Sequence, residues 1–195
     1  MSVPPKALQL HISLKDSSPL IWRSLVVPEN YSFYNLHMAI QAAFGWENAH
    51  LFQFSKTGLM SKESIGIPHE ESDILLQDAR SVSIKTIFKK KGDKYAYTYD
   101  FGDDWVHQIQ LESIESKELY CAVCIDGKNE CPPEDVGGIH GYMAMVACFA
   151  TGTKKEQKEF IDWLGLDAKE IWNASWFNLR EVNKRLSLVK PVDFY

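Results

Sequence analysis

Along residues 7–15 apolar and polar side chains alternate without a break, with Leu8, Leu10, Ile12 and Leu14 on one side and Gln9, His11, Ser13 and Lys15 on the other. That period of two predicts a half-buried strand. The turn-forming Asp16-Ser17-Ser18-Pro19 leads into a second β-rich run, Ile21 to Val27, which Pro28 ends, so the chain is expected to open with a hairpin. From Ser32 the period lengthens. Phe33, Leu36, Ile40 and Phe44 recur at helical spacing, Ser32 is placed to cap the first turn, and Gly45 stands where a left-handed C-terminal residue belongs. His37, beside that stripe, reads as a structural histidine.

The middle of the chain is less regular. Trp46 to Phe54 reads as a loop entering a strand on which His50, Phe52 and Phe54 share a face, and the polar, glycine-bearing residues 56–72 read as a loop. A short helix is expected over 83–90. Tyr95, Tyr97 and Tyr99 then alternate with Ala96, Thr98 and Asp100, Phe101-Gly102-Asp103-Asp104 makes a turn, and Trp105, His107, Ile109 and Leu111 share one face of a returning strand.

Three start signals make the last third helical. Gly137-Gly138 precedes a stripe of Tyr142, Met145, Val146 and Phe149; Thr153 with Glu156 forms a capping box before Phe160, Ile161 and Leu164; Asn178 with Glu181 does the same before Val182 and Leu186. The expected architecture is a single α+β domain over residues 1–195: a mixed, mainly antiparallel sheet, an early helix and a helical C-terminal part from about residue 138 to 195.

Composition narrows the function classes. With 45% apolar, 12% aromatic and 24% charged residues in 195, one ordinary core suffices. A net charge of −5 opposes an extended nucleic-acid surface, and the single basic run, Lys89-Lys90-Lys91, is short. No leader-like segment opens the chain and no apolar run approaches the roughly 20 residues that cross a bilayer, so a cytoplasmic location without membrane contact is expected. The four cysteines read as thiols or ligands in a reducing compartment.

Two motifs carry candidate chemistry. In Tyr99-Asp100-Phe101-Gly102-Asp103-Asp104-Trp105-Val106-His107, a hairpin loop of two or four residues sets Asp100 across from Trp105 and Thr98 across from His107. Asp100 and His107 are then diagonal neighbours about 7–8 Å apart, within joint reach of an ion or water. A three-residue loop would turn Asp100 to the other face. Asp103 serves mainly as a turn former. Asp100-Phe101-Gly102 has no glycine-rich nucleotide loop or catalytic-loop motif beside it, so the kinase reading of that triplet fails. The second motif is Cys131-Pro132-Pro133-Glu134-Asp135-Val136-Gly137-Gly138. Here two prolines stiffen the approach to two carboxylates, and two glycines permit close packing before a helix. The bland alternative is that Glu134 and Asp135 cap that helix.

The candidate ligand-binding set is therefore His50, Asp100, Asp104, Trp105, His107, Glu134 and Asp135, with Asp100, His107, Glu134 and Asp135 as metal ligands. The two motifs are expected to meet, with His50 nearby. A divalent metal is the candidate cofactor. Structural zinc at Cys121, Cys124 and Cys131, completed by His140 or an acidic group, is the weaker version, because the usual zinc pattern has a second cysteine pair that is missing here.

These residues resemble the plasmid pRiA4b ORF-3-like family. The resemblance runs through Leu8 to Val27 with Trp22-Arg23, Leu36 to Phe54 with Gly45-Trp46 and His50-Leu51, Tyr97 to Trp105 with His107, Cys131 to Gly138 with Gly141-Tyr142, and Phe177 to Leu186. It implies a compact mixed α+β fold and no established activity. Family members often carry a cysteine where this chain has Val136. That departure, with the additional Cys121, weakens the argument for a cysteine-bound metal. Some members bear the transposon label TnpR, but no recombinase serine motif or helix-turn-helix accompanies it here. The function that follows is a binding or interaction module for a small-molecule or protein partner, associated with mobile elements. A metal-assisted hydrolase and a nucleic-acid-associated accessory protein are the alternatives.

Overall fold

The computed structural model describes residues 6–58, 61, 63–68, 75–167 and 172–192. Among them eight strands form one sheet: β1 (Lys6–Leu14), β2 (Trp22–Pro28), β3 (Phe52–Ser55), β4 (Glu63–Gly66), β5 (Leu75–Asp78), β6 (Lys94–Tyr99), β7 (Trp105–Ser116) and β8 (Val123–Lys128). Their spatial order is β5-β4-β3-β6-β7-β1-β2-β8, with every pairing antiparallel except β4 with β5. The α+β class and the mainly antiparallel, mixed sheet are as the sequence pattern predicts.

The alternations of separate strands merge into one apolar face because their registers agree. Leu10 lies across from Leu25 on one side and Leu111 on the other; Ile109 faces Tyr95, and Phe54 faces Tyr97 and Ile65. Helix α1 (Phe33–Phe44) covers this face. Ser32 accepts the Asn35 N–H, and Gly45 closes the helix at φ 84° with its N–H on Gln41 O. Phe33, Leu36 and Ile40 are fully buried, each contributing about 1.5–3 kcal/mol. Of the residues expected in the core, Leu8, Leu10, Ile12, Phe33, Leu36, Ile40, Tyr142, Val182 and Leu186 are buried, while Val146 and Phe149 are partly buried.

The C-terminal helices are α2 (Gly138–Thr151), α3 (Lys154–Trp163) and α4 (Leu179–Leu188). The Thr153–Glu156 capping box is formed, and Asn178 accepts from the Arg180 and Glu181 N–H groups. On α4, Asn183 bonds both the N–H and the C=O of Cys124, fastening the edge strand β8. Arg185 donates to Ala42 O at the end of α1.

Three local expectations need correction. The segment 56–72 is not a plain loop, since β4 lies within it; residues 59, 60, 62 and 69–72 fall outside the described residues. The helix over 83–90 shrinks to a 3-10 turn, Ile84–Thr86. Asp93 takes the N–H groups of Lys89 and Lys90 on one carboxylate oxygen, turning the chain toward β6 where a helix would have continued. The β6–β7 hairpin has neither a two- nor a four-residue loop. Tyr99 pairs with Trp105 and Tyr97 with His107, leaving the five residues 100–104 in the turn.

Candidate functional site

The odd turn length has a local cause. Asp100 and Asp104 both adopt left-handed backbone, at φ 56° and 53°, which aspartate tolerates better than most residues. The Asp100 carboxylate accepts the Gly102 N–H at 2.9 Å, and its carbonyl accepts from Asp104 N at 2.7 Å. Asp100 therefore leaves the strand and turns its other carboxylate oxygen toward the loop before β3.

That loop is built by the core. Tyr97 Oη accepts from Gln41 Nε2 (2.9 Å) and donates to His37 Nδ1 (2.8 Å), which leaves the proton on His37 Nε2 to bond Asn48 Oδ1 at 2.6 Å. Gln41 Oε1 holds the Asn48 N–H. His37 is stacked on Phe52 at 3.6 Å, and burial pulls its pKa down to about 4. It is a structural histidine, as expected. Asn48 sits at φ 58°, and His50 follows two residues later.

The Pro-Pro segment arrives from the other side. Trp46 Nε1 donates to Pro132 O at 2.9 Å, Asp103 accepts the Gly137 N–H, and Gly138 presses so close to Asp103 that a Cβ there would stand 2.4 Å from its carbonyl oxygen. Asp135, again left-handed at φ 59°, projects toward His50. The result is a convergence of three segments: His50 Nε2 lies 3.3 Å from Asp135 Oδ1 and 3.7 Å from Asp100 Oδ2. One ligand atom from each of the three falls within 4.8 Å of the others. Asp100 is largely buried, His50 partly exposed, and the Asp135 side chain 73% exposed, so the cluster opens to solvent. Left-handed backbone at non-glycine residues costs about 1 kcal/mol or more each, and four such residues, Asn48, Asp100, Asp104 and Asp135, shape the segments of this one cluster. Beside Asp135 opens a cleft of about 300 Å³ lined also by Val136, Glu159, Phe160 and Trp163.

The two motifs thus meet, but not with every residue in the expected role. His107 is fully buried under the sheet face, ringed by Phe44, Trp46 and Tyr97, with Nδ1 on Trp105 O at 3.0 Å. Burial drives its pKa down to about 3. The cross-strand register that sets it against Tyr97 removes it from Asp100. Trp105 is likewise core, 5.9 Å from the Trp46 ring. Asp104 faces a separate cleft of about 480 Å³ shared with Lys15, Asp103 and Gly137, where partial burial raises its carboxyl pKa against the lowering pull of Lys15. Glu134 stays beside the cluster: its Oε1 accepts from Tyr99 Oη at 2.5 Å and from Glu47 N at 3.2 Å.

Among the described residues the cysteines form no group of three metal ligands. Cys124 Sγ donates to Asp126 O, while Cys131 Sγ accepts from Arg23 Nη2 at 2.9 Å. Among the described residues, the His50, Asp100 and Asp135 group alone has metal-ligand geometry of three or more His, Cys, Asp or Glu side chains. Arg23, which faces Ile12 on the apolar side of the sheet, is committed to the carbonyls of Trp22, Ala43, Lys128 and Asn129 and stacks on Phe177 at 4.6 Å. It does not reach the carboxylates. Sequence reasoning missed Tyr99 and Trp46. Their signal, a phenol at the inward end of β6 and a buried indole just past the α1 terminus, is the ordinary signature of core residues as well.

No helix among the described residues is long and apolar enough to cross a membrane. The chain is similar to the uncharacterized protein y4hQ of Sinorhizobium fredii (strain NBRC 101917 / NGR234), 32% identical over 179 residues covering 91% of this chain and 89% of that one. It is also similar to a crystal structure of a protein of unknown function, MM3350 from Methanosarcina mazei Go1, at 31% identity and a TM-score of 0.77, covering 92% of this chain and 97% of that one. A family described as plasmid pRiA4b ORF-3-like protein matches residues 6–181. By that match, which spans nearly all of the described residues, the chain belongs to the plasmid pRiA4b ORF-3-like protein family.

Proposed function

We propose that this protein is a cytoplasmic binding module in which His50, Asp100 and Asp135 hold a divalent cation whose open positions receive a small-molecule or protein partner. The observation that carries this reading is His50 Nε2 flanked by two carboxylates at 3.3 and 3.7 Å. Nitrogen and oxygen ligands about 2.1 Å from one ion, at angles near 90–110°, stand about 3.0–3.4 Å apart, so small side-chain shifts complete the set. Two carboxylates repel each other unless something positive lies between them, and among the described residues neither has a Lys or Arg nitrogen within 4.0 Å. One imidazole with two carboxylates suits manganese or zinc. The cleft beside Asp135 offers room for a ligand that completes the coordination. The family's plasmid-derived description supports a setting among mobile genetic elements.

A hydrolase would need a carboxylate left over as general base. Glu134, which adjoins Asp135 in the chain, is engaged by Tyr99 and the Glu47 N–H, and Glu159 lines the neighbouring cleft outside the three-residue cluster. The module reading is therefore the one we adopt.

The test is calorimetric titration of chelator-treated protein with Mn²⁺ and Zn²⁺, alongside His50→Ala. Saturable one-to-one binding by the native protein, weakened at least tenfold in the variant, supports the reading. Failure of the native protein to bind either ion at millimolar concentration sinks it.

A further inference from the structure

We propose that Tyr99 is the positioning residue of this site, its single hydroxyl joining the three segments that carry His50, Asp100 and Asp135; the role rests on the cation reading above. Tyr99 is fully buried at the end of β6, its ring stacked on Trp46 at 5.1 Å and edge-on to His50 at 5.7 Å. A hydroxyl has one proton and two acceptor sites, and here all three are used. Oη accepts the N–H of Ala49 at 2.9 Å and of His50 at 3.3 Å, so its proton points to Glu134 Oε1 at 2.5 Å. Burial, and then the bond to Glu134, raise the phenol pKa, keeping that proton on Tyr99.

Each ligand is within one residue of this atom. His50 is bonded to it through its own N–H, Asp100 follows it directly in the chain, and Asp135 follows Glu134. The Glu47 N–H shares the same Glu134 oxygen, closing the loop 46–50 onto the Pro-Pro segment. Groups that orient metal ligands from behind commonly change metal affinity by 10–100-fold when removed. Phenylalanine would keep the stacking on Trp46 but release all three bonds at once.

The experiment compares Tyr99→Phe with Tyr142→Phe, which removes another buried phenol hydroxyl, one whose bond, to Glu130 O at 3.5 Å, is long and involves none of His50, Asp100, Glu134 and Asp135. In the native protein the 2.5 Å Tyr99–Glu134 bond should give a far-downfield proton resonance that is absent in Tyr99→Phe. The Ala49 and His50 amides should exchange faster with solvent in that variant than in Tyr142→Phe. Mn²⁺ affinity should fall 10–100-fold in Tyr99→Phe and stay within twofold of native in Tyr142→Phe. Native affinity in Tyr99→Phe overturns the proposal. Should the native protein bind no cation, the cation reading fails by itself, and amide exchange decides the positioning role: unchanged exchange at Ala49 and His50 in Tyr99→Phe overturns it.

Discussion

His107 lies directly across the β6–β7 ladder from Tyr97, with 5.4 Å between the ring centroids. That pairing places His107 in the core and leaves Asp100 in the turn, so the imidazole available to the carboxylates is His50, on a different segment. A fully buried, neutral histidine holds its position by packing and by its bond to Trp105 O, not by any charged partner.

Replacing His107 with alanine should therefore act on stability and not on the site. Loss of a buried ring is expected to cost about 2–4 kcal/mol, read from denaturant unfolding. Where the variant remains folded, Mn²⁺ affinity should match the native protein. A tenfold loss of affinity in folded His107→Ala would return His107 to the ligand set.

Asp100 combines a ligand role with a backbone role, and two substitutions separate them. Asp100→Asn keeps a residue that tolerates φ 56° and can still accept the Gly102 N–H, so its melting temperature should stay near native while cation affinity drops at least tenfold. Asp100→Ala should lose the same affinity and about 1–2 kcal/mol of stability besides. Equal stability in the two variants would show that the left-handed turn needs no aspartate.

Gly138 sets the spacing between the hairpin turn and α2. An alanine there meets the Asp103 carbonyl at 2.4 Å while sitting at φ 64°, and the obstacle is backbone that cannot swing aside. Gly138→Ala should cost about 2 kcal/mol or more and weaken cation binding by moving Asp135, whereas Gly92→Ala, with open space around it, should cost only its positive-φ strain. The comparison is made by thermal melts with parallel Mn²⁺ titrations.

His37 predicts the acid side of the stability curve. Its folded pKa is lowered to about 4 by burial, so between its ordinary value near 6.5 and about 4 the unfolded chain binds the extra proton. Stability is present above pH 6.5 and lost as pH falls through that window, by on the order of 3 kcal/mol for a shift of this size. His107, lowered to about 3, acts in the same sense and to lower pH. Glu130 opposes them: burial raises its pKa to about 7, so its folded form holds the extra proton and stability from this group falls as pH rises from about 4.5 to 7. Unfolding measured from pH 7.5 to 4 should thus show a net acid loss that steepens in Glu130→Gln. A native curve flat across that range would contradict the buried, neutral state of His37.

Much of the frame was legible because its causes are local. The alternation at Leu8 to Leu14, the Ser32 cap and Gly45 terminus of α1, and the Thr153–Glu156 box are contacts between residues a few positions apart, and each is found where the pattern puts it. Two short strands near the ends of the sheet were not legible. β4 is four residues long and lies in a polar stretch, and β8 begins inside the Cys121–Cys124 spacing that invites a metal reading; both form by pairing with neighbouring strands.

What the sequence determined by itself is the fold class, the family, and the fact that the Asp100 and Cys131–Gly138 motifs belong together, since periodicity, caps and the stiff Pro-Pro and flexible Gly-Gly pairs act at short range. What only the tertiary structure decided is which atoms meet. Two aspartates in left-handed backbone make the 100–104 turn odd in length, and because side chains alternate with period two, that one-residue difference pairs Tyr97 rather than Thr98 with His107. His50, Asp135 and the Tyr99 hydroxyl that ties them lie on segments up to 85 residues apart in the chain, from 50 to 135, and their meeting depends on packing energies summed over the whole sheet face.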